Sequence, residues 1–468
     1  MEFSIRGIGI IKEADIKMDG LTVIAGSNNS GKTTVGRALY SVVSAAENLE
    51  EEQETDKSVA VIYRIRRVLR PFNEWLNICE SLLENEENGF LNDILKIRYA
   101  PVNGERLDYY VDLLFRLCDS MENGSFIGML VDVVGSIESS AKAKILNDWG
   151  DNREKILNEC RNSREFVESL HRQTKKEFAY KMIERTLKIE FADQVQSFIT
   201  LDENEESVLR FDDAEKNFYD IHLYENEILM KKSNFVEGYY DRAYFVDDPY
   251  IIEDQVAPSF VRYHISGNYM QSRILSHREK MRRVMRNMEP DRGISETIYQ
   301  EKELKEVMDR INSIVPGKIS KGVYQTSTGV KLKVGNLATG SKVFSIIKKI
   351  LVSGDITEKT LLILDEPESH LHPSWINQLA EVIVLLVKEC NITVLLTTHS
   401  PNFLLAVDAL MRKYDIREKC NFYQTELNDD NSIKYVEKTD CLDNIYSDFA
   451  ESFAEMNALR KKHMILEE

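Results

Sequence analysis

The chain has no long apolar run, no surplus of positive charge and no paired cysteines. No stretch approaches the roughly 18 consecutive apolar residues of a membrane-spanning helix, so we do not expect a membrane protein. A formal net charge of −18 argues against bulk attraction to nucleic acid. The 6 cysteines are scattered without a C-x-x-C pair, which is typical of reduced thiols and offers no zinc site.

Two further features are missing. Met1–Arg6 contains no basic segment leading into an apolar one, so no secretory signal is predicted and we expect a cytoplasmic protein. Sustained heptads are absent, which argues against a long coiled-coil arm. With 468 residues, 43% of them hydrophobic, the composition is that of a folded chain of two or three domains.

The most informative stretch that is present, Gly26–Thr34, fits the pattern G-x-x-x-x-G-K-[ST]. Leu21–Ala25 before it is typical of a buried strand, and Thr33–Val43 after its glycines is typical of a helix. A strand, a glycine turn and a helix start form a phosphate cradle, because backbone N–H groups converge on anionic oxygens. Lys32 would reach the β- and γ-phosphates, and the Thr33 hydroxyl would bind Mg²⁺.

A second segment, Leu361–Glu366, predicts a buried strand that ends in two carboxylates. Asp365 would hold the Mg²⁺ shell, directly or through water, and Glu366 would polarise the attacking water. Carboxylates at a strand end can also be helix caps. The phosphate cradle elsewhere in the chain favours the metal and water roles.

A third segment, Val394–Pro401, predicts a strand ending in His399, at the edge where open α/β sheets bind ligands. Residues 376–387 have the apolar spacing of the crossover helix between these two strands. His370 and His372 lie near no cysteine and no third histidine, which favours a structural loop over a metal pair.

The remaining pattern divides the chain coarsely. Residues 2–18 predict two short strands that meet near Lys12–Ala14, and the acidic run 47–54 predicts a solvated loop or a frayed helix end. Residues 57–190 are mostly helical in pattern, with an apolar stripe at 107–121 that suits a bundle core or a partner-binding face. The other predicted elements are strands at 195–201, 208–211, 218–223 and 243–246, helices within 258–314, hairpins at 323–334 and 421–436, and a terminal helix.

Two basic clusters, at 64–70 and 273–292, have two interpretations. They are either solvated helix faces or a surface that docks nucleic acid or a partner. Neither is interleaved with aromatic side chains in the manner of single-strand binders, which favours solvated faces.

Four motifs stand in the order found in ABC-type ATPases and resemble the SMC/OLD-like branch. They look like the Walker A motif (26–33), the signature (336–342), the Walker B motif with D-loop (364–373) and the H-loop (398–401). The chain is similar in particular to stand-alone bacterial ATPases that accompany effectors in anti-phage systems of the Septu and PARIS kind. The resemblance covers about half of the chain and leaves out the helical insert.

The resemblance implies an α/β fold: an ABC-type P-loop ATPase head with an antiparallel β subdomain, a large α-helical insertion and a helical signature lobe. The implied domains are 1–46 (lobe I with Walker A), 47–190 (insertion), 191–257 (lobe I β part), 258–360 (helical lobe II with the signature) and 361–468 (the rest of lobe I).

It also implies function. ATP with Mg²⁺ would be held between the cradle of one subunit and Leu337–Lys342 of another, in a homodimer or higher homo-oligomer. That assembly would control a separately encoded nuclease or toxin, with DNA or a phage protein as a candidate trigger. Because only a short tail follows His399, we expect no TOPRIM nuclease there, and we expect Asp429 and Asp430 in a polar turn.

The implied site residues fall into three groups. The catalytic residues are Lys32, Glu366 and His399, and the Mg²⁺ ligands are Thr33, Asp365 and Asp248. The nucleotide-binding residues are Gly26, Asn28, Asn29, Ser30, Gly31, Lys32, Thr33, Thr34, Leu337, Ala338, Thr339, Gly340 and Ser341.

Two departures from the family pattern point to slow turnover. Ala338 replaces the signature serine, and Asp247 or Asp248 stands where a glutamine is common. The alternatives are an SMC-like DNA-repair or DNA-binding ATPase and a non-catalytic ATP-gated scaffold.

Overall fold

The computed structural model describes residues 1–82, 89–99, 107–135, 139–196, 205–213, 215–253, 276–286, 304–320, 322–353, 356–443 and 445–447. The chain divides into two compact units. The described residues of the first, the nucleotide unit, are 1–47 and those from 179 onwards, and the second, the helical unit, comprises 48–178. The finer division into five domains remains a prediction.

A large mixed sheet forms the centre of the nucleotide unit. Its strands are β1 (Glu2–Ile8), β2 (Ile11–Lys17), β3 (Leu21–Ala25), β4 (Ser207–Asp212), β5 (Asn217–Tyr224), β6 (Glu227–Ile228), β7 (Asn234–Phe235) and β8 (Arg242–Val246). A separate three-stranded sheet contains β9 (Gly317–Ser320), β10 (Val323–Thr326) and β11 (Lys331–Lys333). The large sheet is completed by β12 (Thr360–Asp365), β13 (Thr393–Thr398), β14 (Cys420–Leu427) and β15 (Ile433–Glu437).

The strand order of the large sheet is β6-β5-β4-β1-β2-β15-β14-β3-β13-β12-β8, with β7 beside β5. From β14 to β8 the neighbours are parallel, whereas β1, β2, β4 and β5 are antiparallel. The parallel strands β3 and β13 are buried along their whole length, because helices cover both faces, while β2 alternates between buried and exposed residues.

The described helices are divided between the two units. In the nucleotide unit α1 spans Lys32–Ala46, and the helical unit contains α2 (Leu49–Leu69), α3 (Asn73–Leu82), α4 (Gly89–Tyr99), α5 (Leu107–Glu122), α6 (Ser125–Gly135) and α7 (Ser139–Arg172). After α8 (Lys175–Glu190), the described helices are α9 (His277–Arg286), α10 (Lys305–Ile314), α11 (Thr339–Val352), α12 (Pro373–Cys390) and α13 (Pro401–Lys413). Within the described ranges no helix is both long enough and apolar enough to cross a membrane.

The helical unit has an apolar core of its own. Tyr110, Leu114, Leu117 and Met121 lie along one face of α5 and are buried in that core. The stripe at 107–121 is therefore bundle core, as the first of its two interpretations states.

Most predicted elements are confirmed, but two predictions were wrong. The first two strands meet at Gly9 and Ile10, not near Lys12–Ala14, because Gly9 adopts the φ of +55° that this tight turn requires. The acidic run is not a loop or a frayed end: Glu50, Glu51 and Glu52 form the first turn of α2, where the helix dipole favours negative charge.

Other predictions fall partly outside the described residues. These are the strand at 195–201, of which only Val195 and Gln196 are described, much of the helical region 258–314, and the terminal helix. Strand β9, which pairs with β10, was not predicted.

Candidate functional site

The carboxyl ends of four parallel strands meet at one edge of the large sheet. Asp365 of β12 lies opposite Thr397 of β13, and Thr398 lies opposite Ala25, the residue before the glycine-rich loop. On the other side of β12, Leu364 pairs with Val246 of β8. Segments far apart in sequence therefore place their polar residues together, as the strand-end pattern predicts.

The loop 26–31 has the backbone of a phosphate cradle. Asn29 and Gly31 have positive φ values of 62° and 75°, and α1 begins directly after Gly31. A Cβ at Gly26 would overlap the Thr425 hydroxyl, so this position requires glycine. Ser30 ties the loop together by donating to Ser27 O at 2.8 Å. Asn28 and Asn29 are exposed at the loop's rim.

Lys32, which follows this loop, is a buried cation with 4% of its surface exposed. Its Nζ donates to Gly26 O at 3.0 Å and Ser27 O at 2.6 Å, and lies 3.2 Å from Glu366 Oε1. The ammonium is thus held at the mouth of the cradle, facing the carboxylate that follows β12.

Asp365 links this loop to β12. Its Oδ2 accepts a hydrogen bond from Thr33 Oγ1 at 2.7 Å, and its Oδ1 accepts one from Thr397. Burial raises the pKa of the Asp365 carboxyl, and the charges of Glu366 and Asp247 act in the same direction. A hydroxyl and a buried carboxylate in contact are hard oxygen ligands of the kind Mg²⁺ prefers, so the residues present fit that ion.

Glu366 has a left-handed backbone, with φ of +47°. Its N–H donates to the Thr397 hydroxyl at 3.0 Å, and its Oε2 lies 3.1 Å from His399 Nδ1. That contact is short, but its geometry is not that of a hydrogen bond. Lys32, Glu366 and His399, the three predicted catalytic residues, therefore lie side by side.

The signature residues lie elsewhere in the same unit. Ala338 is exposed and occupies the N-cap of α11 without a side-chain cap. Thr339 Oγ1 lies 3.2 Å from the Tyr250 hydroxyl, whereas Leu337 is part of the core. Gly340 is buried, and a Cβ there would lie 2.5 Å from the Trp375 ring. Gly340 is thus required for packing within the chain, which the sequence did not indicate.

Asp247 and Asp248 have different environments. Arg278 Nη2 lies 2.7 Å and His277 Nε2 3.1 Å from Asp247 Oδ2. Burial raises the pKa of Asp247, but the His277 ring and the Arg278 guanidinium beside the carboxyl outweigh burial and hold its pKa at about 2. Asp248 Oδ1 instead accepts from Tyr250 N at 2.8 Å and so caps the following 3-10 helix. The metal role predicted for Asp248 remains a prediction.

The sequence reasoning missed three supporting residues. Thr425 donates to Ser30 Oγ at 2.8 Å, and Tyr435 donates to Gly31 O at 2.8 Å, so the C-terminal hairpin braces the phosphate loop. Thr397 bonds the Asp365 carboxylate and the backbone N–H of Glu366. Polar residues near the ends of β13 and β14 were the available signal. Asp429 and Asp430 lie in the hairpin turn, as predicted.

The histidines of the D-loop have structural contacts. His372 caps α12 by accepting from Ser374 N, and the ring of His370 packs edge-on against Tyr250. Within the described ranges, no three His, Cys, Asp or Glu side chains are grouped to hold a metal ion.

Several residues of the two basic clusters have partners within the chain. Arg64 and Arg67 both pair with Glu159, and Arg66 donates to Ile97 O. In the part of the second cluster that the structure describes, Lys280 pairs with Glu47 and Arg278 with Asp247. Part of this charge therefore serves internal ion pairs, and the two interpretations of the clusters remain predictions.

The family described as "AAA ATPase domain" matches residues 1–404. The chain belongs to that family. The match includes the loop that holds Lys32 and the ends of β12 and β13, so the residues described above form the candidate nucleotide site of an ATPase domain. No curated protein matches the sequence.

Among solved structures, the chain is similar to SMC head domains. The SMC head domain from Thermotoga maritima has 9% identity and a TM-score of 0.33, and covers 93% of this chain and 97% of its own. An SMC head with a coiled coil and joint from Pyrococcus yayanosii has 9% identity and a TM-score of 0.33, with coverages of 96% and 99%. An SMC head bound to the C-winged helix domain of ScpA has 10% identity and a TM-score of 0.36, with coverages of 93% and 97%. Likenesses this weak assign no function.

Proposed function

We propose that this chain binds ATP with Mg²⁺ at the sheet edge and hydrolyses it slowly. The observation that carries the proposal is the 2.7 Å hydrogen bond between Thr33 and Asp365, which joins the phosphate loop to the end of β12. Lys32 and Glu366 lie 3.2 Å apart beside it. Cation, hydroxyl and two carboxylates at one edge are the groups that phosphoryl transfer to water requires.

Each residue has a distinct role in this proposal. The backbone N–H groups of 26–33 and the Lys32 ammonium bind the phosphates. Thr33 and Asp365 hold Mg²⁺, which when bound neutralises phosphate charge. Glu366 orients a water molecule and accepts its proton. His399, whose Nδ1 lies 3.1 Å from the Glu366 carboxylate, helps to keep that carboxylate in place.

The test is steady-state ATP turnover by the wild type, Glu366→Gln and the control Glu437→Gln. Glu437 is a half-exposed carboxylate that pairs with Lys17, so its substitution removes the same charge away from the site. We expect slow turnover in the wild type and the control, and its loss in Glu366→Gln. Equal turnover in all three would overturn the catalytic assignment, while ATP binding without turnover by the wild type would favour the scaffold alternative.

We further propose that two copies share the nucleotide. The support is that the two sets of predicted ligands have different partners within one chain: Thr339 contacts Tyr250, while Thr33 contacts Asp365. A second chain would bring residues 337–341 to the phosphate loop of the first, as an ABC-type head does. Light scattering of Glu366→Gln with and without ATP tests this, and a mass that never depends on ATP would overturn it.

The finer proposal is that this ATP-dependent assembly controls a separate effector, in anti-phage defence. Its support is the motif set, and it predicts that the pure chain cuts neither DNA nor RNA. The test is to co-express the chain with the protein encoded beside its gene. Release or activation of that protein should follow nucleotide state and fail in Lys32→Ala. Nucleic-acid cleavage by the pure chain, lost in Asp430→Asn, would overturn it.

A further inference from the structure

Strand β13 ends in two adjacent threonines, and one of them contacts the Asp365 carboxylate and the backbone of Glu366. Thr397 is fully buried, and its hydroxyl donates to Asp365 Oδ1 while accepting from Glu366 N at 3.0 Å. The roles assigned above leave this hydroxyl without a purpose. Because a hydroxyl has one proton and two lone pairs, a single side chain can make both bonds at once.

The bond to Glu366 matters because of the backbone there. A non-glycine residue with φ of +47° is in a sparsely populated region and persists only when its surroundings hold it. The Glu366 N–H is held from β13 by both the hydroxyl and the carbonyl of Thr397, at 3.0 and 3.2 Å. This left-handed turn sets the direction in which the Glu366 side chain leaves the backbone, toward Lys32 and His399.

The bond to Asp365 completes a second restraint. Thr33 holds one oxygen of that carboxylate and Thr397 holds the other, so the carboxylate plane cannot rotate without breaking a partly buried hydrogen bond. A buried oxygen that loses its donor pays its desolvation cost in full. The hydroxyl of one threonine therefore holds the Asp365 carboxylate directly and the Glu366 side chain through its backbone.

We propose that Thr397 is a positioning residue, which orients Glu366 and Asp365 for water attack without touching the nucleotide. This inference rests on the proposed ATPase function. It requires the hydroxyl rather than the bulk of threonine. Its loss should therefore lower kcat while leaving ATP affinity nearly unchanged at saturating Mg²⁺, because Lys32 and the loop amides remain in place.

The experiment compares Thr397→Val, Thr397→Ser and the control Thr22→Val. Valine keeps the shape and removes the hydroxyl, whereas serine keeps the hydroxyl. Thr22 is an equally buried threonine of the same sheet, whose hydroxyl donates to Lys17 O at 2.6 Å at the far end of β3 from the cradle. ATP turnover and equilibrium binding of labelled ATP are measured for each, with circular dichroism as the check on folding.

We expect Thr397→Val to lower kcat by roughly 10- to 100-fold, the size of loss that misplaced catalytic groups produce, with ATP affinity within about threefold of wild type. Thr397→Ser and Thr22→Val should keep kcat within about threefold of wild type. If the valine variant does not fold, Thr397→Ala replaces it, judged against the serine variant.

Two outcomes overturn the inference alone. Wild-type turnover in Thr397→Val shows that the hydroxyl does not orient Glu366, and a serine variant as slow as the valine variant shows that the hydroxyl alone does not maintain turnover. A wild type without turnover overturns the proposed ATPase function itself and this inference with it, and is distinguished because every variant then reads zero.

Discussion

The nucleotide unit and the helical unit bury different kinds of group. At the ends of β12 and β13, Asp365 and Glu368 are carboxylates withdrawn from water, and burial raises the pKa of both. The core of the helical unit is apolar, and its ion pairs lie nearer the surface, as in Arg164 with Asp119 at 2.7 Å. The buried polar group of α5, Ser120, simply bonds the carbonyl of Leu117 on its own helix.

Buried carboxylates therefore mark the unit that contains the candidate site, whereas an apolar core marks the unit that does not. Burying a carboxylate opposes folding unless a cation or a set of donors pairs with it, so such groups persist where chemistry needs them. Glu368 shows this cost directly, because one of its oxygens accepts from Thr398 while the other has no partner. The helical unit buries mainly apolar side chains, as a helical bundle does. We therefore expect substitutions in its core to lower the free energy of unfolding and to leave ATP turnover unchanged.

The largest expected effect tests the nucleotide unit. Lys32→Ala should weaken ATP binding at least about 1,000-fold, because the ammonium is the phosphate-binding cation of the loop. The fold should survive, since Lys32 bonds loop carbonyls rather than core groups. Equilibrium binding of labelled ATP decides it, with the half-exposed Lys17→Ala as the control lysine. Affinity retained within a factor of two would contradict the assignment.

The next effect tests the helical unit. Leu117→Ala removes a fully buried side chain of α5 and should lower the free energy of unfolding of that unit by about 2–5 kcal/mol. ATP affinity should change by less than about threefold, since ordinary core truncations act through stability. Urea unfolding followed by circular dichroism measures the first quantity.

Asp112→Ala, on the exposed side of the same helix, is the control for that truncation. It should leave the unfolding midpoint close to wild type. A large loss of ATP affinity in folded Leu117→Ala would contradict the view that the core of the helical unit affects only stability.

The same contrast explains what the sequence could predict. The ends of β3, β12 and β13 were predictable because each is a continuous buried apolar run that stops at a polar residue. Their convergence followed from the rule that parallel strands end at a common edge. The sequence could therefore predict that five polar residues form one cluster: Lys32, Thr33, Asp365, Glu366 and His399.

The supporting contacts were not predictable, because they depend on strand order and register. Nothing local to Thr425 or Tyr435 indicates that β14 lies beside β3 and carries them to the phosphate loop. The need for glycine at position 340 arises from Trp375, 35 residues later in the chain, which only packing reveals.

A smaller effect separates binding from hydrolysis at the edge of the sheet. Glu366→Gln should bind ATP and hydrolyse it at least about tenfold more slowly, because the amide keeps the shape but loses the charge that orients water. The slow variant should also accumulate the ATP-bound dimer, which light scattering detects. If turnover matched that of Glu437→Gln, the general-base role of Glu366 would be wrong.

The smallest expected effect concerns the signature segment, residues 337–341. Ala338 sits at the N-cap of α11 with φ of −58° and ψ of 144°, an extended backbone that serine adopts readily. Ala338→Ser should stabilise the nucleotide unit by about 0.5–1 kcal/mol, since its hydroxyl can accept from a free N–H of the first turn. Thermal unfolding measures this against Ala338→Val, which offers no cap.

The same substitution then distinguishes a local role from a shared one. If residues 337–341 meet the nucleotide of a second copy, the new hydroxyl adds a phosphate contact, and ATP-dependent association of the Glu366→Gln background should tighten as well. A gain in stability without tighter association would confine Ala338 to helix capping and would argue against sharing through this segment. Equal behaviour of the serine and valine variants in both measurements would contradict both roles, because the hydroxyl is the only group by which serine could cap the helix or bind a phosphate.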